Sequence, residues 1–154
     1  MLRDDISQAL TAAMKTRKAP ETSTLRLILA AIKDRDIAAR TAGGSADGIG
    51  DDEVMKVLQT MIKQRNDSIR LYQQGNRPEL AAKEAAEIDI IRRFLPAQMS
   101  DDEVASAVEQ TITALGATGL KDMGRTMATL RERYAGRMDF ARASTLLKQR
   151  LAGA

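Results

Sequence analysis

Residues 51–96 read DDEVMKVLQTMIKQRNDSIRLYQQGNRPELAAKEAAEIDIIRRFLP, and this stretch decides the fold class. Val54, Val57, Leu58, Met61, Ile62, Ile69 and Tyr72 recur at intervals that put them on one face of a helix. Asp51-Asp52-Glu53 precedes them, setting carboxylates at a helix N-terminus, where free amides and the dipole favour negative charge. Gly75-Asn76-Arg77-Pro78 then breaks the pattern: Gly75 suits a left-handed C-terminal cap, and Pro78 suits the first turn of the next helix. That helix carries Leu80, Ile88, Ile91 and Leu95 and is expected to end at Pro96. The two helices should fold back on each other as an antiparallel hairpin.

Three charged residues violate this amphipathic pattern. Arg65 falls inside the apolar stripe of the first helix, Glu84 in the middle of the second helix's apolar face, and Glu87 at its edge. A hairpin turning at Asn76 places residues equidistant from the turn opposite one another. Arg65 lies eleven residues before Asn76 and Glu87 eleven after, with Glu84 one turn away. An unpaired charge in that seam would cost several kcal/mol, so pairing is expected. Two roles fit: a structural ion pair that fixes hairpin register, or a buried polar site for a ligand or metal.

Working outward, the same helical spacing continues in both directions. Ile6, Ala9, Leu10 and Ala13 mark a first helix, and Leu25, Ile28, Leu29 and Ile32 a second, followed by a Gly-rich loop at residues 42–49. After Pro96, Ser100-Asp101-Asp102-Glu103 is a capping box, and Val104, Val108, Ile112 and Leu115 run from it to Gly116. Met123, Met127, Leu130 and Tyr134 form a sixth helix, and Phe140, Leu147 and Leu151 a seventh. The expected architecture is all-α: an N-terminal helical domain (residues 1–94) with the long hairpin, a connector (95–99), and a three-helix C-terminal tail domain (100–154).

Composition narrows the function classes. The chain has no Cys, His or Trp, which excludes disulfides, thiol nucleophiles, Cys/His zinc sites and imidazole catalysis. Aromatics are only 3%, so the core is aliphatic, which favours packed helices over sheets. No phosphate-binding loop or nucleophile elbow is present, and neither a catalytic residue, a metal site nor a cofactor is assigned. The longest apolar run, Leu27 to Ile32, is too short to span a bilayer, and residues 1–5 lack the basic-then-apolar order of a secretory signal, so a soluble, cytoplasmic protein is expected.

Basic residues form two patterns. Lys56, Lys63, Arg70 and Arg77 are spaced by seven on the polar side of the hairpin. From Leu120 to Arg150, eight basic residues face three acidic ones, a local excess of +5 that exceeds the +3 of the whole chain. Six of those eight are Arg, suited to bidentate phosphate contact. This marks Lys121, Arg125, Arg131, Arg133, Arg137 and Arg142 as candidate RNA-backbone contacts, against the alternative of solvated decoration. Asp122 reads as the N-cap of the sixth helix, with Gly124 allowing either tight helix packing or room for a phosphate.

Taken in order, several strings resemble the YqeY family, whose region is shared with the C-terminal part of the B subunit of the tRNA-dependent amidotransferase. They are Thr24-Leu25-Arg26 with Ala30-Ala31-Ile32-Lys33, Lys63-Gln64-Arg65 with Ser68-Ile69, Arg77-Pro78-Glu79-Leu80 with Glu84 and Glu87, Phe94 through Ser100, Lys121-Asp122-Met123-Gly124, and Gly136-Arg137 with Asp139. The sequence departs from the family at Arg17-Lys18-Ala19-Pro20, a basic junction where acidic residues are typical, and at a lengthened Gly-rich loop. The resemblance implies an all-helical protein with a small helical tail of the kind that contacts tRNA, the amidotransferase chemistry residing in domains outside it. It thus implies a tRNA-binding or tRNA-linked accessory protein. The alternatives are a helical adaptor docking to an amidotransferase or synthetase, or the family label of a carbon–nitrogen ligase with glutamine as amide donor.

Overall fold

Every stretch with three- and four-residue apolar spacing is helical in the computed structural model of this chain, which describes residues 1–44 and 46–153. Ser45, within the expected loop, and Ala154, within the expected tail domain, lie outside the described residues. The elements are α1 (Leu2–Lys15), α2 (Ala19–Thr41), α3 (Asp51–Gln74), α4 (Pro78–Arg92), α5 (Asp101–Leu115), a 3₁₀ turn (Leu120–Asp122), α6 (Met123–Arg133) and α7 (Phe140–Ala152). No strand occurs among the described residues. The chain divides into two compact units, Met1–Pro96 and Ala97–Ala154.

The first unit packs α1 through α4 around Ile6, Ile28, Ile32, Val54, Leu58 and Ile91, all essentially inaccessible to water. Helix α4 stops at Arg92 instead of running to Pro96. The ring of Pro96 disfavours helical backbone at Leu95, and Phe94 and Leu95 turn to pack against this core.

Helix reversals here depend on single left-handed residues. Helices α1, α2, α3 and α5 end in the paired-bond motif in which two successive amides reach back to carbonyls of the last turn, for α1 from Lys18 to Ala13 (3.0 Å) and from Arg17 to Met14 (3.3 Å). The left-handed position is Gly43 after α2 and Gly116 after α5, where no Cβ resists the geometry. After α3 it is Asn76 (φ 55°), not Gly75 (φ −84°) as the sequence suggested; the short polar side chain of Asn tolerates this conformation. After α1 it is Arg17 (φ 56°), where a long side chain is held at a cost of about 1–2 kcal/mol relative to a relaxed backbone.

A charged fork closes the unit. Arg3 Nη1 and Nη2 each donate to one oxygen of Asp36 at 2.7 Å, and Asp36 Oδ1 also accepts from the backbone amide of Ile49 at 2.9 Å. The fork ties α1 to α2 and to the segment that enters α3. Gly48 passes so close that a Cβ there would fall 2.7 Å from Arg3 Nη2.

The second unit packs α5, α6 and α7 around Val104, Val108, Leu130, Met138 and Leu147. Ser100 and Glu103 form the capping box reciprocally, and Asp139 caps α7 by accepting from Ala141 and Arg142. Ion pairs Arg142–Asp101 (3.0 Å) and Arg150–Glu109 join α5 to α7 at the same sequence offset, so these two helices run parallel. The Met99 amide donates to the Arg137 carbonyl (2.9 Å) and Gln98 Nε2 to the Gly136 carbonyl (2.6 Å), so residues read as connector bond within this unit.

Hydrogen bonding from Arg3, opposed by burial and aided by the Ile49 amide, lowers the Asp36 carboxyl from the ordinary 3.8 to about 2. Because its folded value is depressed, the stabilisation is complete above the unfolded value near 4 and disappears as pH falls toward 2. Asp36→Asn is expected to lose about 1–2 kcal/mol at neutral pH by urea denaturation, and the difference from wild type should shrink across that acidic window.

Candidate functional site

The hairpin seam brings Arg65, Glu84 and Glu87 together. Arg65 Nε lies 2.8 Å from Glu87 Oε2 and 4.0 Å from Glu84 Oε2, and Arg65 Nη1 donates to the Met61 carbonyl one turn back at 3.2 Å. The three side chains are only 13%, 22% and 18% exposed, so their mutual attraction is weakly screened. The guanidinium is occupied on both edges by groups of its own hairpin. Among the described residues, no cluster of acidic side chains could hold a metal ion.

The C-terminal cations do not form one converged set. Arg125 Nε donates to Asp122 Oδ1 at 3.0 Å, and Arg142 pairs with Asp101. The Arg137 guanidinium sits 6.0 Å from the Tyr134 ring centroid, the outer limit of a cation–π contact. Lys121, Arg131 and Arg133 are exposed and make no ion pair among the described residues. Arg131 and Arg133 are two positions apart on α6, which turns their side chains about 160° from each other around the helix. Lys148, outside the predicted set, is exposed and equally unpaired. On the hairpin stripe, Lys56, Arg70 and Arg77 are paired with Glu53, Asp67 and Glu79.

Two expectations at the start of α6 change. The Asp122 carboxylate does not cap α6. It accepts from the amides of Thr118 (2.8 Å) and Gly119 (3.4 Å), organising the 3₁₀ turn. These backbone bonds, opposed by burial and assisted by Arg125, lower its pKa. A Cβ on Gly124 would meet nothing within 4 Å, so Gly124 serves no tight helix packing.

One surface escaped the sequence reading. An open groove of about 890 Å³ runs along α1 and α2, lined by Met14, Arg17, Ala19, Thr22, Ser23, Arg26, Leu27 and Ala30. Met14 is 50% and Leu27 48% exposed. The available signal was the run Leu27 to Ile32: six consecutive apolar residues surround a helix, so they cannot all face one core.

These features define an all-helical protein of two aliphatic-cored units, with a closed polar seam in the first. The chain belongs to the Yqey-like protein family, whose model, YqeY, matches residues 3–151. It is 37% identical over 94 residues to "Altered inheritance of mitochondria protein 41, mitochondrial" of Clavispora lusitaniae, covering 60% of this chain and 51% of that protein. The protein of the same name from Saccharomyces cerevisiae is 33% identical over 95 residues (62% and 46%), and that from Meyerozyma guilliermondii 38% over 92 (58% and 44%). The chain thus spans about half the length of the curated relatives it matches. Their names place those proteins in mitochondria, whereas the sequence reading expected a cytoplasmic chain. No helix among the described residues is long and apolar enough to cross a membrane.

Two stability measurements check this geometry. Arg65→Met leaves two carboxylates facing each other in the seam and should cost about 3 kcal/mol in urea denaturation, much of it recovered when Glu84 and Glu87 are also made apolar. Gly124→Ala should stabilise the chain by about 0.5 kcal/mol, because the alanine gains helix propensity without a clash.

Proposed function

We propose that this chain is a non-catalytic, tRNA-linked accessory protein whose C-terminal unit meets the phosphate backbone. The observation that carries the reading is the set of exposed cations without carboxylate partners among the described residues, Lys121, Arg131, Arg133 and Lys148, joined by the half-buried Arg137 beside Tyr134 and Glu103. Charge in this unit is divided by element, with Asp101, Asp102, Glu103 and Glu109 on α5 and the excess cations on α6 and α7, Arg142 and Arg150 of α7 being paired back to Asp101 and Glu109. Arg142 and its partner Asp101 are both exposed, and exposed ion pairs contribute little, so phosphate can compete for that guanidinium, whereas Arg125 is held by the buried Asp122. Because α6 splays Arg131 and Arg133, the reading favours an RNA that wraps the helix over a flat contact. Both the cytoplasm and the mitochondrion contain tRNA, so either compartment suits this role.

Titration of total tRNA against the full chain at increasing salt tests the proposal. With about four phosphate contacts, log affinity should fall against log salt with a slope of about −3. The triple variant Lys121→Glu, Arg131→Glu, Arg133→Glu should weaken binding at least about tenfold. Absence of binding at low salt, or binding that ignores this variant, removes the basis of the reading.

A further inference from the structure

The groove on α1 and α2 combines features that no folding requirement explains. Met14, Leu27 and Ala30 are apolar and open to solvent where polar residues would cost the fold nothing. The lining contains two arginines, Arg17 and Arg26, and no acidic residue. Lys15 and Lys18 flank it; none of these four cations makes an ion pair among the described residues. The nearby Glu21 is already engaged by Arg93 at 3.3 Å.

The third feature is the backbone of Arg17. Of the left-handed residues that close helices here, two are Gly and one is Asn, all well suited to positive φ. Arg17 occupies the same position with the same pair of backbone bonds but carries a side chain that the geometry penalises. A strained residue retained at a concave surface points to a role for its side chain, and this one lines the groove.

We propose that this groove docks an acidic amphipathic helix of a partner protein. Its apolar stripe lies over Met14, Leu27 and Ala30, and its flanking carboxylates meet Arg17 and Arg26. Two adjacent helices that offer open apolar side chains alongside two arginines match a helix-in-groove receptor, read by anchors at three- and four-residue spacing. Charge complementarity selects the partner: every charged group of the lining is a cation, so the incoming helix must supply carboxylates. A bare polyanion would use the arginines and leave the apolar floor unused. The site lies in the first unit and does not depend on the RNA reading of the second.

Fluorescence anisotropy with the full chain tests it, using a labelled peptide with Leu and Ala at helical spacing and Glu on the flanks. A scrambled isomer of identical composition and a single-stranded RNA serve as competitors. The patterned peptide should bind at least about tenfold more tightly than the scramble, and Leu27→Ser, which changes no charge, should weaken it about tenfold. Arg17→Gly is the decisive variant: relieving the backbone should raise the melting temperature by a few degrees, while binding falls several-fold. A structural role for Arg17 would lower both together. Equal binding of patterned and scrambled peptides, no binding of the patterned peptide, or indifference to Leu27→Ser overturns the proposal. RNA displacing the peptide through Arg17 and Arg26 with no dependence on Leu27 assigns the groove to a polyanion instead and also overturns it.

Discussion

Helices built on aliphatic stripes must reverse direction over a few residues, and α1, α2, α3 and α5 each do so through a residue at positive φ. This constraint governs the molecule, because the chain has no disulfide to substitute for a tight turn and few aromatic rings to enlarge its cores. Gly43, Asn76 and Gly116 meet it at little conformational cost. Arg17 meets it at a cost that the rest of the fold sustains, through core contacts of Ile6, Ala13 and Leu25 on either side.

The polar links divide by their surroundings. Arg3–Asp36 and Arg65–Glu87 sit where water is largely excluded, with backbone groups completing their hydrogen bonding, so they specify which helix faces which. The pairs of Arg142 with Asp101 and of Arg150 with Glu109 lie in solvent and are cheap to exchange, whereas Arg125 is held by the buried carboxylate of Asp122. These structural charges are thus shielded, while the pairs of Arg142 and Arg150 are open to water.

The hairpin was legible because its information is local and symmetric. Arg65 and Glu87 stand equally far from Asn76, and antiparallel helices convert equal sequence distance into spatial proximity. The Ser100 capping box was legible for the same reason: a side chain and the amide it satisfies lie within three residues. The candidate RNA site was legible only as an inventory. Counting arginines between Leu120 and Arg150 could not reveal that Asp101 reaches Arg142 and Glu109 reaches Arg150, because those carboxylates arrive from another helix.

The amino-acid sequence alone determined the all-helical class, the helix order, the hairpin and its ion pair, since apolar periodicity and turn chemistry act over a few residues at a time. Only the tertiary structure decided which cations remain free, that Asp36 clamps Arg3 across thirty-three positions, and that Met14 and Leu27 share an open groove with Arg17. Those outcomes depend on how helices pack, and a side chain's partner across a packing interface is set by geometry that no local pattern encodes.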